Sequence, residues 1–236
     1  MASNTNEMLG HLGDSVVRLE DPPLVKGQGR FVGDINFPNQ LHMRIFRSPY
    51  AHGKIKSIDT ASALAYPGVV AVWTSDDIQD IPPIDFREGS DPTLALFRQY
   101  PLARELVRYV GDPVAAVFAD DPYTAEDAAE LVNLEIEPLP VLINADDPPQ
   151  DFKGQAKTEA AVVEQGYGDI EATFSDAYKI VEVDVKVSRH TGVPMECRGA
   201  IGRYDAARDI LEMYGAAKVP HRNRDTLCRM LNRPAS

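Results

Sequence analysis

Cysteine is scarce in this chain, and its scarcity excludes several kinds of site. The only two cysteines among the 236 residues are Cys197 and Cys228. Neither lies in a close group with other cysteines or with histidines, which a zinc site or an iron–sulfur cluster needs at set spacings. We therefore expect both thiols to be reduced and structural, no metal-ligating residue in this chain, and iron–sulfur electron transfer in another chain.

The sequence also contains no long apolar run, and it has fewer basic than acidic residues. No run of about 18 apolar residues and no charged-then-apolar export leader is present, so neither a membrane span nor secretion is predicted. The formal net charge of -12 repels phosphate backbones. We expect a globular cytoplasmic protein of one or two domains that binds neither nucleic acid nor a membrane, with an acidic surface that serves solubility.

One segment in the middle of the chain predicts a strand, a helix and a second strand. The apolar run from Pro113 to Ala119 is typical of a fully buried strand, and a turn follows it. Thr124, with Asp127 three residues later, predicts the start of a short alanine-rich helix. Residues 132–137 then alternate apolar with polar side chains, which indicates a strand with one buried face.

Shorter patterns predict the elements before this segment. An imperfect apolar alternation over 41–46 favours a strand, with Leu41, Met43 and Ile45 on the apolar face. Asp59 or Thr60 caps a short helix that must end at Pro67-Gly68, and a strand over 69–73 follows. Residues 75–105 show no clear period, so we expect a long surface excursion.

The amino-acid composition of the sequence changes after Pro140. Glycine, proline and aspartate over residues 141–165 predict a linker. Strict alternation of valine with polar residues over 181–187 predicts the clearest strand of the chain. Two further strands are expected at 199–204 and 209–214, joined by a polar turn, and a helix is expected over 220–231.

Several motifs occur in this chain in a fixed order. They read RSPYAH at 47–52, PGVVAVWT at 67–74, LVRYVGDPVAAV at 106–117, YTAEDAA at 123–129 and RHTGVPME at 189–196. Together they resemble the molybdopterin-binding large subunit of the molybdenum hydroxylases, the family of xanthine dehydrogenase, aldehyde oxidase and aerobic carbon monoxide dehydrogenase.

The resemblance implies an α+β architecture. It implies a polar tail at 1–17, an α/β hammerhead domain at 18–140, the linker at 141–165 and an incomplete N-terminal part of a molybdopterin-binding domain at 166–236. In the family, a glycine-rich loop and a glutamate base follow beyond this last segment. We therefore expect no catalytic residue in this chain, and we expect the chain to be inactive alone.

The resemblance also implies a function and partners. Family members oxidise a carbon–hydrogen bond, or carbon monoxide, with water as the oxygen source, and they pass electrons to iron–sulfur and FAD subunits. This chain would be a partial or split large subunit that holds molybdenum-molybdopterin only in the assembled complex. Its partners would be the remaining molybdopterin-domain chain, an FAD-binding subunit and a subunit with two-iron two-sulfur clusters. The alternative is a non-catalytic interaction module or a truncated relic.

The turn at 214–221 is where the resemblance places cofactor contacts. Many members have a glutamine at this point, which donates a hydrogen bond to an oxygen on the metal, and Lys218 takes its place here. An ammonium also donates, and its charge suits an anionic cofactor. Arg222 and Arg224 open the last predicted helix and could reach a phosphate. All three could instead be solvated, and the lone His52 is more typical of a hydrogen-bonded structural residue.

Overall fold

A computed structural model of the chain describes residues 13–86, 92–144, 146–188, 190–215 and 218–235. The chain divides into two compact units: residues up to Phe37 with Gly192–Lys218, and Pro38–Thr191 with Val219–Ser236. Most of the expected polar tail, Arg189 of the last motif and Ala216-Ala217 of the candidate cofactor turn lie outside the described residues.

The chain contains both helices and strands, with several strands in direct succession, and the predicted α+β class is confirmed. The helices are α1 (Asp21–Val25), α2 (Ala61–Leu64), α3 (Pro122–Ala129), α4 (Ile170–Asp176) and α5 (Pro220–Met230), with 3-10 turns at Val32–Asp34 and Pro92–Phe97. The strands are β1 (His42–Arg47), β2 (Gly53–Asp59), β3 (Val69–Trp73), β4 (Leu106–Val107), β5 (Pro113–Ala119), β6 (Asn133–Pro138), β7 (Asp151–Phe152), β8 (Ala156–Lys157), β9 (Ala200–Asp205) and β10 (Ile210–Gly215).

The predicted buried strand is the centre of the larger unit. β5 lies between β1 and β3 in an antiparallel sheet. Because successive side chains point to opposite faces, Ala115 and Val117 pack with Ala128 and Ala129 of α3, while Val114 packs in a second cluster with residues of β4 and β6. Both faces of β5 are therefore covered, which explains an apolar run without alternation.

Helix α3 begins earlier than the sequence predicted. Its N-cap is Asp121, whose carboxylate accepts from the amides of Tyr123 (2.9 Å) and Thr124 (3.0 Å), and the hydroxyl of Thr124 also donates to it. Thr124 as the helix start was therefore wrong. Pro122 suits the first helical position because its ring fixes the backbone and it has no amide hydrogen to satisfy. These bonds, Thr124 foremost, lower the pKa of Asp121.

The first two predicted elements form, with changes in detail. β1 is a strand, but Met43 is exposed, and Phe46 packs against both core clusters instead. The register of β1 against β5 is regular from His42 to Phe46, so Phe46 lies on the opposite face of the strand from Met43. Helix α2 follows Thr60, and the carboxylate of Asp59 accepts from the amide of Ala61 (3.0 Å).

A second antiparallel sheet, ordered β4-β2-β6, closes the other side of the core. The alternation predicted over 132–137 is confirmed, since Val132 and Leu134 are buried and Ile136 packs against the second cluster. β2 approaches β6 closely at Gly53. A Cβ added there would lie 2.2 Å from Ile136 Cγ2 and 2.9 Å from the carbonyl oxygen of Glu137.

The segment expected as a linker contains a small hairpin. Strands β7 and β8 pair antiparallel within residues 151–157. Phe152 is only 7% exposed and stacks on Phe97 with ring centroids 4.8 Å apart. Part of the segment 141–165 is thus packed against the irregular excursion that precedes β4. The division at 18–140 and 166–236 stays a prediction.

The strand predicted over 181–187 is wrong for this structure. Residues 177–188 have no regular secondary structure, and the four alternating valines are 72 to 78% exposed. A strand is stable only when its amides and carbonyls bond to a neighbour, and no described strand pairs with this segment. Just before it, Asp169 caps α4, a helix that the sequence analysis missed, by accepting from the amide of Ala172 (3.0 Å).

The smaller unit is built on the β9–β10 hairpin, which confirms the strands predicted at 199–204 and 209–214. The ring of Phe37 packs on Tyr214 with centroids 5.1 Å apart. Glu196 accepts from the amide of Val32 (3.3 Å), so residues before Phe37 are held to this hairpin unit. Of the helices in the described residues, none is long and apolar enough to cross a bilayer.

The close approach at Gly53 makes a direct test of the packing between β2 and β6. Gly53→Ala should lower the free energy of unfolding by about 1–3 kcal/mol, because a backbone carbonyl and a branched side chain must shift. Gly202→Ala is the control, since a Cβ in that strand meets nothing within 4 Å. Urea unfolding of both variants measures the difference, and equal stabilities would contradict the packing described.

Candidate functional site

The three candidate cofactor residues lie on either side of the junction between β10 and α5. Lys218 follows the end of β10 at Gly215 and is exposed. No described residue forms an ion pair or side-chain hydrogen bond with it. Its ammonium is therefore available to a ligand as a donor and as a positive charge.

Helix α5 confirms the helix predicted over 220–231 and carries the two arginines. Pro220 occupies its first turn, and Val219, at the N-cap, provides no side-chain acceptor for the first amides. Arg222 is half-buried and has no described carboxylate partner. Arg224 is exposed and pairs with the neighbouring Asp225 at 2.8 Å. Of the two arginines, Arg222 is thus the one whose charge is not already balanced.

Two separate features suit the anionic part of molybdopterin. Arg222 and the uncapped amides at the start of α5 favour a phosphate. Lys218 belongs to the other compact unit and is by itself a cationic donor. The fit is to the anionic edge alone. The contacts of Lys218, Arg222 and Arg224 with the cofactor stay predictions.

The far end of α5 is tied to the irregular excursion by a shared carboxylate. Asp85 pairs with Arg98 (2.9 Å) and with Arg229 near the end of the helix (3.3 Å). All three side chains are partly exposed, so each pair contributes little free energy. Their geometry nevertheless fixes which part of the excursion lies beside the helix.

Two of the sequence motifs meet at a hydrogen-bonded junction that the sequence analysis missed. Ser48 donates its amide to the carbonyl of Asp112 (2.9 Å), Gly111 donates its amide to the carbonyl of Ser48 (2.8 Å), and Arg47 donates to the carbonyl of Gly111 (2.9 Å). The motifs RSPYAH and LVRYVGDPVAAV are therefore bound to each other through backbone groups. Pairing between segments so far apart in the chain has no local sequence signal.

The side chain of Asp112 completes this junction. It is 7% exposed, and its carboxylate accepts from the amide of Arg108 (3.0 Å). Burial raises the pKa of Asp112, although the bond from Arg108 opposes the shift. Burial, followed by the nearby Asp112 carboxylate, likewise raises the pKa of Tyr109. Asp112 therefore orders the turn before β5 at an electrostatic cost.

His52 and the acidic residues form no group suited to a metal ion in the described part of the chain. The Nδ1 atom of His52 lies 2.9 Å from the carbonyl oxygen of Pro140, which supports the structural interpretation of this histidine. Among residues 13–86, 92–144, 146–188, 190–215 and 218–235, no three His, Cys, Asp or Glu side chains group as a metal ion would require.

Comparison with protein families identifies both parts of the chain. Residues 26–140 match the aldehyde oxidase and xanthine dehydrogenase a/b hammerhead domain, and residues 152–236 match the molybdopterin cofactor-binding domain. The chain belongs to the molybdenum hydroxylase large-subunit family, as the motifs predicted. The matched second domain identifies molybdopterin as the cofactor.

Known relatives are longer than this chain. It is 41% identical to the 6-hydroxypseudooxynicotine dehydrogenase complex subunit gamma of Paenarthrobacter nicotinovorans, over 94% of this chain and 29% of that one. It is 35% identical to the carbon monoxide dehydrogenase large chain of Hydrogenophaga pseudoflava, over 92% and 29%. The crystal structure of quinoline 2-oxidoreductase from Pseudomonas putida 86 superposes with a TM-score of 0.80 at 28% identity, over 93% and 28%. The chain spans less than a third of their length.

The raised pKa of Asp112 predicts how its contribution to stability depends on pH. A carboxyl whose folded-state pKa is raised stabilises the fold below its ordinary pKa of 3.8, and this contribution is lost as pH rises through the raised value. The free energy of unfolding of the wild type minus that of Asp112→Asn should therefore fall as pH rises above about 4. Urea unfolding at several pH values measures it.

Two further variants serve as controls for the pH dependence of Asp112→Asn. Asp112→Ala should cost about 1–3 kcal/mol near pH 4, because the amide of Arg108 loses its acceptor inside the protein, and this cost should fall with pH in parallel with that of Asp112→Asn. Asp120→Asn, at the exposed other end of β5, controls for the loss of one negative charge. A wild-type advantage over Asp112→Asn that grows with pH would show that the buried carboxyl is not the cause.

Proposed function

We propose that this chain is the N-terminal part of the large subunit of a molybdenum hydroxylase in a cytoplasmic complex. In this proposal, residues 18–140 are the hammerhead domain and residues 166–236 begin the molybdopterin-binding domain. The observation that carries the proposal is the match of both segments, in order, to the two domains of the family. The reaction is oxidation of a carbon–hydrogen bond, or of carbon monoxide, with water as the oxygen source.

The rest of the subunit and two further subunits complete the proposed complex. The bound cofactor supplies the two-electron oxidation, and an iron–sulfur subunit and an FAD subunit carry the electrons away. The relatives, which include a dehydrogenase complex subunit and carbon monoxide dehydrogenase large chains, support a multi-subunit oxidoreductase. The exposed valines over 181–187 support the need for further polypeptide, because an unpaired apolar segment favours association.

Within this complex, each candidate residue has a defined task. Lys218 donates a hydrogen bond from Nζ to the bound cofactor and places a positive charge beside it. Arg222 holds the phosphate of the cofactor, helped by the first amides of α5. Arg224 is a weaker phosphate contact because Asp225 already neutralises it. The base that activates water belongs to the rest of the subunit.

Purification of the chain alone and with its complementary subunits tests this proposal. The lone chain should contain no stoichiometric molybdenum and should oxidise none of the substrates of the family, since the remaining cofactor contacts and the base are supplied by other polypeptide. The assembled complex should gain both. Elemental analysis and dye-coupled oxidation are the measurements. Full molybdenum and turnover in the lone chain would overturn the partial-subunit proposal, and failure to assemble would favour a non-catalytic module.

A lysine variant tests the role of Lys218 in the assembled complex. Lys218→Ala should lower turnover by about 10- to 100-fold, because one preorganised donor to the cofactor is removed, while the molybdenum content per complex falls much less. Lys26→Ala, at another exposed lysine, is the matched control and should leave both unchanged. Unchanged turnover in Lys218→Ala would identify it as a solvated surface lysine.

A further inference from the structure

A cavity of about 210 Å³ lies in the larger unit, beside the segment that leads into β4. It has room for about seven water molecules at their share of liquid volume. Four of its described lining residues are cations, Arg98, Arg104, Arg108 and Lys153, and two are acids, Glu105 and Asp112. In a chain with a net charge of -12, this excess of positive charge around one small cavity is unexpected.

Arg104 is held in place without a carboxylate partner. One of its terminal nitrogens donates to the carbonyl oxygens of Ile78 (3.3 Å), Gln79 (3.0 Å) and Ile81 (3.1 Å), and its guanidinium stacks on the ring of Tyr100 at 3.7 Å. Its Nε atom is buried and has no hydrogen-bond partner. An unsatisfied buried donor costs about 1–3 kcal/mol, and more on a charged group.

Arg108 is held in a similar way on the same cavity. Its two terminal nitrogens donate to the carbonyl oxygens of Phe97 (3.1 Å) and Arg98 (2.6 Å). Carbonyl oxygens orient a guanidinium but carry no net charge to neutralise it. Two fixed guanidiniums therefore line this cavity with positive charge that no described ion pair balances.

The other two cations differ because each already has an acidic partner. Arg98 pairs with Asp85 (2.9 Å), and Lys153 pairs with Glu105 (3.2 Å). Glu105 is largely exposed, so the second pair is weak and Lys153 can turn toward a ligand. With these two pairs counted as neutral, Arg104 and Arg108 share the lining with the single carboxylate of Asp112, so an excess of positive charge remains.

The cavity continues into a larger, more open cleft. Arg98, Tyr100, Glu105 and Lys153 line both spaces, and the larger one has a volume of about 1050 Å³. A group bound in the small cavity could therefore belong to a bigger molecule that extends into the cleft. None of the three candidate cofactor residues is among those that line either space.

We propose that this cavity binds a phosphate group, either as inorganic phosphate or as a phosphate ester whose remainder occupies the larger cleft. The oxygens of a phosphate can accept from Arg104, Arg108 and Lys153 at once, and its negative charge offsets the excess positive charge of the lining. A planar carboxylate has only two oxygens and can accept from fewer of these donors. The inference is independent of molybdenum chemistry.

Titration of the full chain with inorganic phosphate tests the proposal. Calorimetry at constant ionic strength should show one saturable site, and sodium acetate should bind much more weakly. Lys153→Gln should weaken phosphate binding by about tenfold, because one charge-assisted contact is lost. Lys157→Gln, on an exposed lysine of β8 that does not line the cavity, is the matched control and should leave it unchanged.

A second variant and a second ligand complete the test. Arg104→Lys keeps the charge but lacks the planar guanidinium with its several donors, and it should also weaken binding while circular dichroism stays unchanged. Tighter binding of phenyl phosphate than of inorganic phosphate would assign the site to a phosphate ester, and the reverse order would assign it to free phosphate. No saturation, equal effects of the two lysine variants, or equal affinity for acetate would overturn the proposal.

Discussion

Burial of β5 on both faces is the constraint on which the larger unit depends. Ala115 and Val117 face the alanines of α3, and Val114 faces the sheet that contains β2 and β6. Removal of this apolar surface from water stabilises both layers at once. Because β5 is central, the turn before it must be fixed. Asp112 and the backbone bonds to Ser48 fix that turn and join two motifs far apart in the chain.

The elements that local sequence patterns predicted correctly are those whose formation depends on nearby residues. An uninterrupted apolar run indicated β5, and Pro220 with its apolar positions indicated α5. The prediction misplaces the start of α3 because Asp121 and Pro122 are equally typical of a turn, whereas in the structure they are the cap and the first helical residue. The strand expected at 181–187 needs a neighbouring strand to pair with. Alternation of apolar and polar residues shows that the two faces of a strand would differ in polarity, but it does not show whether a neighbouring strand is present.

The candidate site was predictable only in part. Resemblance to the family pointed to Lys218, Arg222 and Arg224. It did not predict that Arg224 pairs with Asp225, which makes Arg224 a weaker candidate for a phosphate contact. No sequence pattern predicted the cavity around Arg104 and Arg108. Its lining comes from the irregular excursion and from the β7–β8 hairpin, and the hairpin lies in the segment that was expected to be a linker. Tertiary contacts between aperiodic segments leave no periodicity to read.

The core around β5 and the segment 181–187 thus differ in whether this chain supplies their packing partners. The β5-centred core is satisfied by its own segments, whereas residues 181–187 expose apolar side chains without strand partners among the described residues. Amide hydrogen exchange, followed by mass spectrometry, tests this account most directly. The account predicts slow exchange at 113–119 in the lone chain, fast exchange at 181–187, and protection of 181–187 when the rest of the large subunit is added. Fast exchange at 113–119, or no change at 181–187 on assembly, would contradict it.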